Sequence, residues 1–240
     1  MSTERIQKKL AQNGYSSRRK VESLIEEGRV FINDVPAKLG DKISSEDKVY
    51  IDGKVINISE VISSELLMYN KPVGEECSHA SSKKTIFENL PKPKTGKWIS
   101  IGRLDINTSG LMLFTNDGTL AHQLMHPSFE IDREYLVRAR GHFNEQKKKN
   151  MLSGVKIENE IYQFSDIVPG EKQSSNQWFS VCILTGKNRE VRKLFESQDL
   201  EVSRLKRVRI GPIFLPSTLR EGSCINLTES QIKELQNYGK

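Results

Sequence analysis

A chain of 240 residues has room for one large domain, or for a medium domain with a small companion. Its hydrophobic content of 36% allows a buried core, and a net charge of +6 favours a polyanionic partner, nucleic acid before anionic membrane. No apolar run approaches the roughly 18 residues that cross a bilayer, and Met1 to Leu10 lacks the apolar centre of a secretory leader, so a cytoplasmic protein without a membrane partner is expected.

Residues 1–53 read as a compact unit. Ile6, Leu10 and Ala11 predict a short helix that Asn13-Gly14 ends. Ser16 or Ser17 can cap a second helix, with Val21, Leu24 and Ile25 on one face and Gly28 as its stop. Short strands follow at Val30 to Ile32, Val35, and Val49 to Ile51, with turn signals at Asn33-Asp34 and Asp52-Gly53. The second helix opens on Arg18-Arg19-Lys20, where cations oppose the helix dipole. With Arg5, Lys8, Lys9 and Arg29 they either form a solvated face or line a surface for phosphates.

Residues 54–64 read as a linker and residues 65–240 as the larger domain. Leu66 to Asn70 is a buried strand, broken by Lys71-Pro72-Val73-Gly74. Residues 78–97 read as a long exposed loop around a short helix near Ile86 to Leu90. Thr119 to Met125 is a helix that Pro127 ends, and Glu134 to Ala139 alternates as a strand. Glu145 to Leu152 reads as a lysine-rich solvated helix, Trp178 to Leu184 as a strand, and Arg189 to Ser197 as a helix. Strands outnumber helices without a βαβ rhythm, so the fold class is α+β around a mainly antiparallel sheet.

Asp105 stands in a loop between the apolar runs Ile99 to Ile101 and Leu111 to Phe114, beside Arg103. On spacing alone it is either a turn residue or a carboxylate held toward a ligand by a rigid sheet. Asp117, in Asn116-Asp117-Gly118, reads as a turn former rather than a second acid. His122 and His126 have a helical metal spacing but no third ligand nearby. The three cysteines are too scattered for a metal knuckle or a disulfide framework, and no metal is expected.

Two resemblances add to these readings. Arg5 to Leu10, Ser16 to Lys20, Ile25 to Val30, Ile32 to Asp34 and Val49 to Gly53 resemble the S4 RNA-binding domain. Gly102-Arg103-Leu104-Asp105, Thr108, Gly110 and Thr115-Asn116-Asp117-Gly118 resemble the signature of the RsuA and RluB/E/F family of pseudouridine synthases. Lys71-Pro72 with Gly74, Arg133-Glu134-Tyr135 and Gly186 to Leu194 match further motifs of that family, and the Arg189-Glu190-Val191-Arg192 form is similar to the branch that modifies large-subunit ribosomal RNA.

The family resemblance implies an isomerisation that needs no cofactor. The N1–C1′ bond of a uridine breaks, the base turns, and C5 takes the bond. Asp105 is then the catalytic carboxylate. Arg192 pairs with it through a forked contact that keeps it ionised. Tyr135 stacks on the target base and assists proton removal from C5. Arg103 fills the space of the flipped base or holds a phosphate. Leu194 packs on the base, while Arg189, Lys193 and the basic 203–209 run contact RNA backbone. The implied partner is a large-subunit ribosomal RNA hairpin or a precursor particle, met by a monomer. A small-subunit target, or an RNA-binding assembly factor with a vestigial site, are the alternatives.

Overall fold

The computed structural model describes residues 3–58, 64–78 and 84–238. The middle of the expected linker (59–63) and part of the expected exposed loop (79–83) lie outside the described residues. The chain divides into two compact units, the first comprising Met1–Glu65, Pro91–Ile99 and Thr115–Thr119, the second the remainder.

In the first unit, α1 (Ile6–Gln12) and α2 (Arg18–Glu26) pack with a four-stranded sheet. The strands are β1 (Val30–Ile32), β2 (Val35–Pro36), β3 (Val49–Ile51) and β4 (Lys54–Ile56), in the order β2-β1-β3-β4. Ser17 caps α2 by accepting from the Lys20 N–H at 3.2 Å. Ile6, Leu10, Val21, Leu24, Val30 and Val49 form the centre of the core, each at most 4% exposed. The apolar stripe of each helix is thus what docks it. Strand β4 was read as linker. It is mostly exposed and carries little apolar alternation, but Asp52 and Gly53, both at positive φ, form the turn of a β3–β4 hairpin.

Residues 91–99 and 115–119 belong with this first unit rather than with the second. Asn116, 1% exposed, explains the joining. Its side-chain oxygen accepts from the Glu65 N–H at 2.8 Å, and its amide donates to the Thr95 carbonyl at 3.2 Å. Asp117 accepts from the Thr119 N–H at 2.8 Å, the cap of helix α3 (Gly118–Met125), and from Ser64 Oγ at 2.9 Å. It is a turn and cap residue, as its sequence context suggested.

The second unit is built on a mixed, largely antiparallel sheet. Its main path runs β8 (Asp166–Gln173), β9 (Asn176–Ile183), β7 (Arg133–Arg140), β10 (Glu201–Ile210), β6 (Ser109–Thr115), β5 (Leu66–Lys71) and β11 (Cys224–Asn226). The pairs from β8 to β10 are antiparallel; β10 meets β6 in parallel, with Arg207 beside Gly110. One face of β7, β9 and β10 carries Val137, Phe179, Val181 and Leu205, all buried. Phe195 of α5 (Glu190–Glu196) stacks edge-on against Phe179 at 5.2 Å between ring centres. Helices α4 (Glu145–Ser153) and α6 (Glu229–Asn237) complete the fold, each capped, by Asn144 and Thr228. Gly110 has φ +105, and a Cβ there would collide with the Arg207 carbonyl oxygen. Only glycine lets β6 and β10 close at this junction, and it is the junction that ends the Asp105 loop.

Candidate active site

The Asp105 loop is held through its main chain. Lys71, at the end of β5, is fully buried. Its ammonium donates to the carbonyls of Pro72 at 3.0 Å, Asp105 at 3.2 Å and Thr108 at 2.9 Å. The Gly74 N–H donates to the Ile106 carbonyl at 2.8 Å, and the Thr108 N–H closes a turn on the Asp105 carbonyl at 3.0 Å. Arg192 Nη2 donates to the Asn107 carbonyl and Nη1 to the Val202 carbonyl, both at 3.0 Å. The Cys77 thiol donates to the Leu104 carbonyl at 3.2 Å. Each carbonyl from Leu104 to Thr108 therefore has a donor, while the half-buried Asp105 carboxylate has no hydrogen bond or ion pair among the described residues. The backbone that carries Asp105 is fixed in place while its carboxylate is left available to a ligand.

The cations that hold the loop are kept there at a cost. Burial pushes Lys71 below its ordinary pKa, against the pull of nearby acids including Glu75 and Asp105. Burial likewise lowers Arg192; the like charge of Arg189 adds to this, and Asp105 and Glu196 oppose it. Arg192 Nε is buried without a hydrogen-bond partner among the described residues.

Asp105 opens into a cavity of about 950 Å³ shared with Tyr135, Arg103, Arg133, Arg189 and Arg207. Tyr135 is 6% exposed and shares the inward face of β7 with Arg133. Arg133 donates to the carbonyls of Ile131 at 2.8 Å and Leu124 at 3.2 Å, and burial lowers its pKa. Arg207 donates through Nε to the Leu111 carbonyl at 2.8 Å. These buried guanidiniums are bonded to neutral carbonyls, so their charge is left to act on whatever enters, and it favours an anion. Glu190, 3% exposed, shapes the facing rim: it accepts from Thr185 Oγ1 at 2.6 Å and from the N–H groups of Gly186 and Lys187 at 2.8 and 2.9 Å.

The family model for RNA pseudouridylate synthases matches residues 65–197, the stretch that builds most of this cavity, and that for the S4 domain matches residues 4–49. The chain belongs to the RNA pseudouridylate synthase family. It is 48% identical over 235 residues to a protein of Pseudomonas aeruginosa named ribosomal large subunit pseudouridine synthase B, covering 95% of this chain and 61% of that one. It is 42% identical to the protein of that name in Escherichia coli K12, covering 98% of this chain and 82% of the relative. A crystal structure of a pseudouridylate synthase superimposes with a TM-score of 0.68 at 28% identity, over 96% of this chain and 99% of that one.

Within this synthase fold the residues singled out from sequence separate into groups. Asp105, Tyr135, Arg103 and Arg189 meet at the cavity. Arg192 lies behind the loop, and its fork reaches main-chain carbonyls instead of the Asp105 carboxylate. Leu194 is 0% exposed and does not line the cavity, so it packs in the core rather than on a base. Val191, on the same helix, lines the cavity instead. Lys193 forms an ion pair with Glu158 at 2.6 Å and lies over the Tyr162 ring, which ties it to the 155–162 hairpin. In the 203–209 run, Arg207 is buried at the cavity with Nε on the Leu111 carbonyl, and Arg209 is paired with Asp132 and Glu134.

In the S4 domain, Arg18, Arg19 and Lys20 are exposed without an ion pair among the described residues, and Arg5 is exposed. Lys9 is half-buried, Lys8 is paired with Glu4 at 2.6 Å, and Arg29 is forked onto Asp52. Sequence reasoning missed Glu190 and the carbonyl targets of Lys71. A glutamate four residues after a Thr185-Gly186 turn is the only local signal for the first.

Proposed function

We propose that the chain converts a uridine of large-subunit ribosomal RNA to pseudouridine. Asp105 acts on the ribose as the N1–C1′ bond breaks, and Tyr135 stacks on the turned base and assists proton removal from C5. The observation that carries this is the Asp105 carboxylate, without a hydrogen bond or ion pair among the described residues, on a loop whose carbonyls are all held, in a cavity walled by Tyr135 and buried arginines. Isomerisation adds and removes no atoms, so one carboxylate suffices where a two-acid hydrolase needs a partner for water. Arg103, exposed on the rim, takes the phosphate or the gap left by the flipped base. Arg192 contributes by fixing the loop and by its charge.

The large-subunit target rests on the names of relatives that the chain matches along nearly its whole length. The S4 domain docks the RNA through Arg18, Arg19 and Lys20 of α2, together with Arg5 and Lys9 at α1. The protein works as a monomer in the cytoplasm, with ribosomal RNA or a precursor particle as its partner.

Tritium release from RNA labelled at uracil C5 tests the assignment. Release from large-subunit RNA and none from small-subunit RNA is expected. Release from the small-subunit RNA alone would move the target, and none from either would leave an RNA-binding assembly factor. Replacing Arg18, Arg19 and Lys20 by serine should lower the salt slope of RNA binding by roughly 2, at about 0.7 per phosphate contact. An unchanged slope would remove the docking role.

A further inference from the structure

The sheet of the synthase domain has a second face that the chemistry does not use. Opposite residues of paired strands point to the same side, and the register places Trp178, Arg138 and Arg204 in one row across β9, β7 and β10. The adjoining row holds Val168, Ser180, Leu136 and Lys206. None of these side chains is buried; Leu136 is 39% and Val168 53% exposed.

A wet face is ordinary for an antiparallel sheet. This row is not ordinary in composition. Arg138 and Arg204 face each other directly, an arrangement that costs stability. Neither they nor Lys206 form an ion pair among the described residues. Of the acids on the neighbouring strands, Glu134 is held by Arg209 and Ser180, Asp166 is opposite Cys182, Glu201 is opposite Arg140, and Glu171 lies in the bulge of β8 across from Trp178. The Trp178 ring is partly buried and keeps some of its surface open to solvent.

We propose that this face is a second RNA-binding surface, on which Trp178 stacks a single-stranded base while Arg138, Arg204 and Lys206 hold the phosphates on either side. Strands about 4.8 Å apart put an aromatic ring and a guanidinium within one nucleotide of each other. Charge complementarity selects the occupant: three unpaired cations in adjacent rows around one ring suit a polyanion with aromatic faces. The surface engages RNA outside the uridine in the cavity, and so would add affinity for a long substrate without altering the chemistry.

The test uses the full chain carrying Trp98→Phe, which leaves Trp178 as the single tryptophan. Oligouridylate is titrated at several salt concentrations while emission and acrylamide access are followed. Quenched emission and reduced access are expected. Arg138→Ser with Arg204→Ser should weaken that binding roughly tenfold and lower its salt slope by about 1.4. Unchanged Trp178 emission at saturating oligouridylate would overturn the proposal. So would quenching that the double variant leaves intact, or protection of Trp178 that rises with protein concentration in the absence of RNA, which would mark a contact between copies. The emission readout does not depend on isomerisation, so its failure is separable from failure of the catalytic assignment.

Discussion

Two loops border the cavity, and their carboxylates are used in different ways. Residues Leu104 to Thr108 are held from outside, by Lys71 and Gly74 from over thirty positions earlier and Arg192 from over eighty later. Residues Thr185 to Glu190 are held largely from within, since the Glu190 carboxylate accepts from Thr185, Gly186 and Lys187, while Arg133 donates to the Thr185 carbonyl and Lys187 Nζ to the Ile161 carbonyl. Arg189 sits at φ +52, a left-handed conformation that costs a non-glycine residue about 1 kcal/mol, at the start of α5. The difference has a chemical sense. A loop that clamps its own carboxylate has no carboxylate left to offer. The Asp105 loop keeps its carboxylate available because remote cations hold its backbone instead.

The contrast can be broken most severely at Lys71. Lys71→Met leaves buried carbonyls at Pro72 and Thr108 without this donor, and should lower stability by roughly 2–4 kcal/mol and the single-turnover rate by at least about 100-fold. A thermal melt and a rate measured on the folded fraction check both; an unchanged rate would mean that the loop keeps its shape unaided. Arg192→Lys retains a charge but cannot reach the Asn107 and Val202 carbonyls together. It should slow the chemical step roughly tenfold with little change in KM. Glu190→Gln sharpens the other side. The amide keeps one acceptor, so a urea melt should show roughly 1–2 kcal/mol lost, with activity within about threefold of wild type.

The smallest effect is expected at Glu134, on the open face of the sheet. Hydrogen bonds from Arg209 and Ser180 hold its carboxyl below the ordinary value of 4.5. Its stabilising contribution is therefore present above that value and lost as pH falls through the lower folded pKa. The unfolding free energies of wild type and Glu134→Gln should differ near neutrality, by under about 1 kcal/mol for so accessible a pair, and converge in acid. A gap that persists in acid would place the effect elsewhere.

How much of this was legible in the sequence depended on the distance over which each contact acts. The caps and stops of α1 and α2 were legible because Ser17, Asn13 and Gly28 act within four residues. The convergence of Asp105 and Tyr135 was legible only through motif resemblance, since thirty positions separate them and no periodicity links them. Leu194 was misplaced because Val191, Leu194 and Phe195 share one apolar helix face, and spacing cannot say which of them turns to the cavity. Lys193 was counted as free for RNA because its partner Glu158 is 35 positions away; the Lys8–Glu4 pair, at helical spacing, could have been foreseen. Strand β4 had a visible signal in Asp52-Gly53, which marks a hairpin as readily as a boundary.

What separates a catalytic Asp105 from a structural one is the pairing of rate with stability in Asp105→Asn. The carboxylate makes no hydrogen bond or ion pair among the described residues, so its amide should change the melting temperature and the affinity for large-subunit RNA little while tritium release from C5 falls to background. Release at the wild-type rate, or loss of release accompanied by an equal loss of folding, would contradict it.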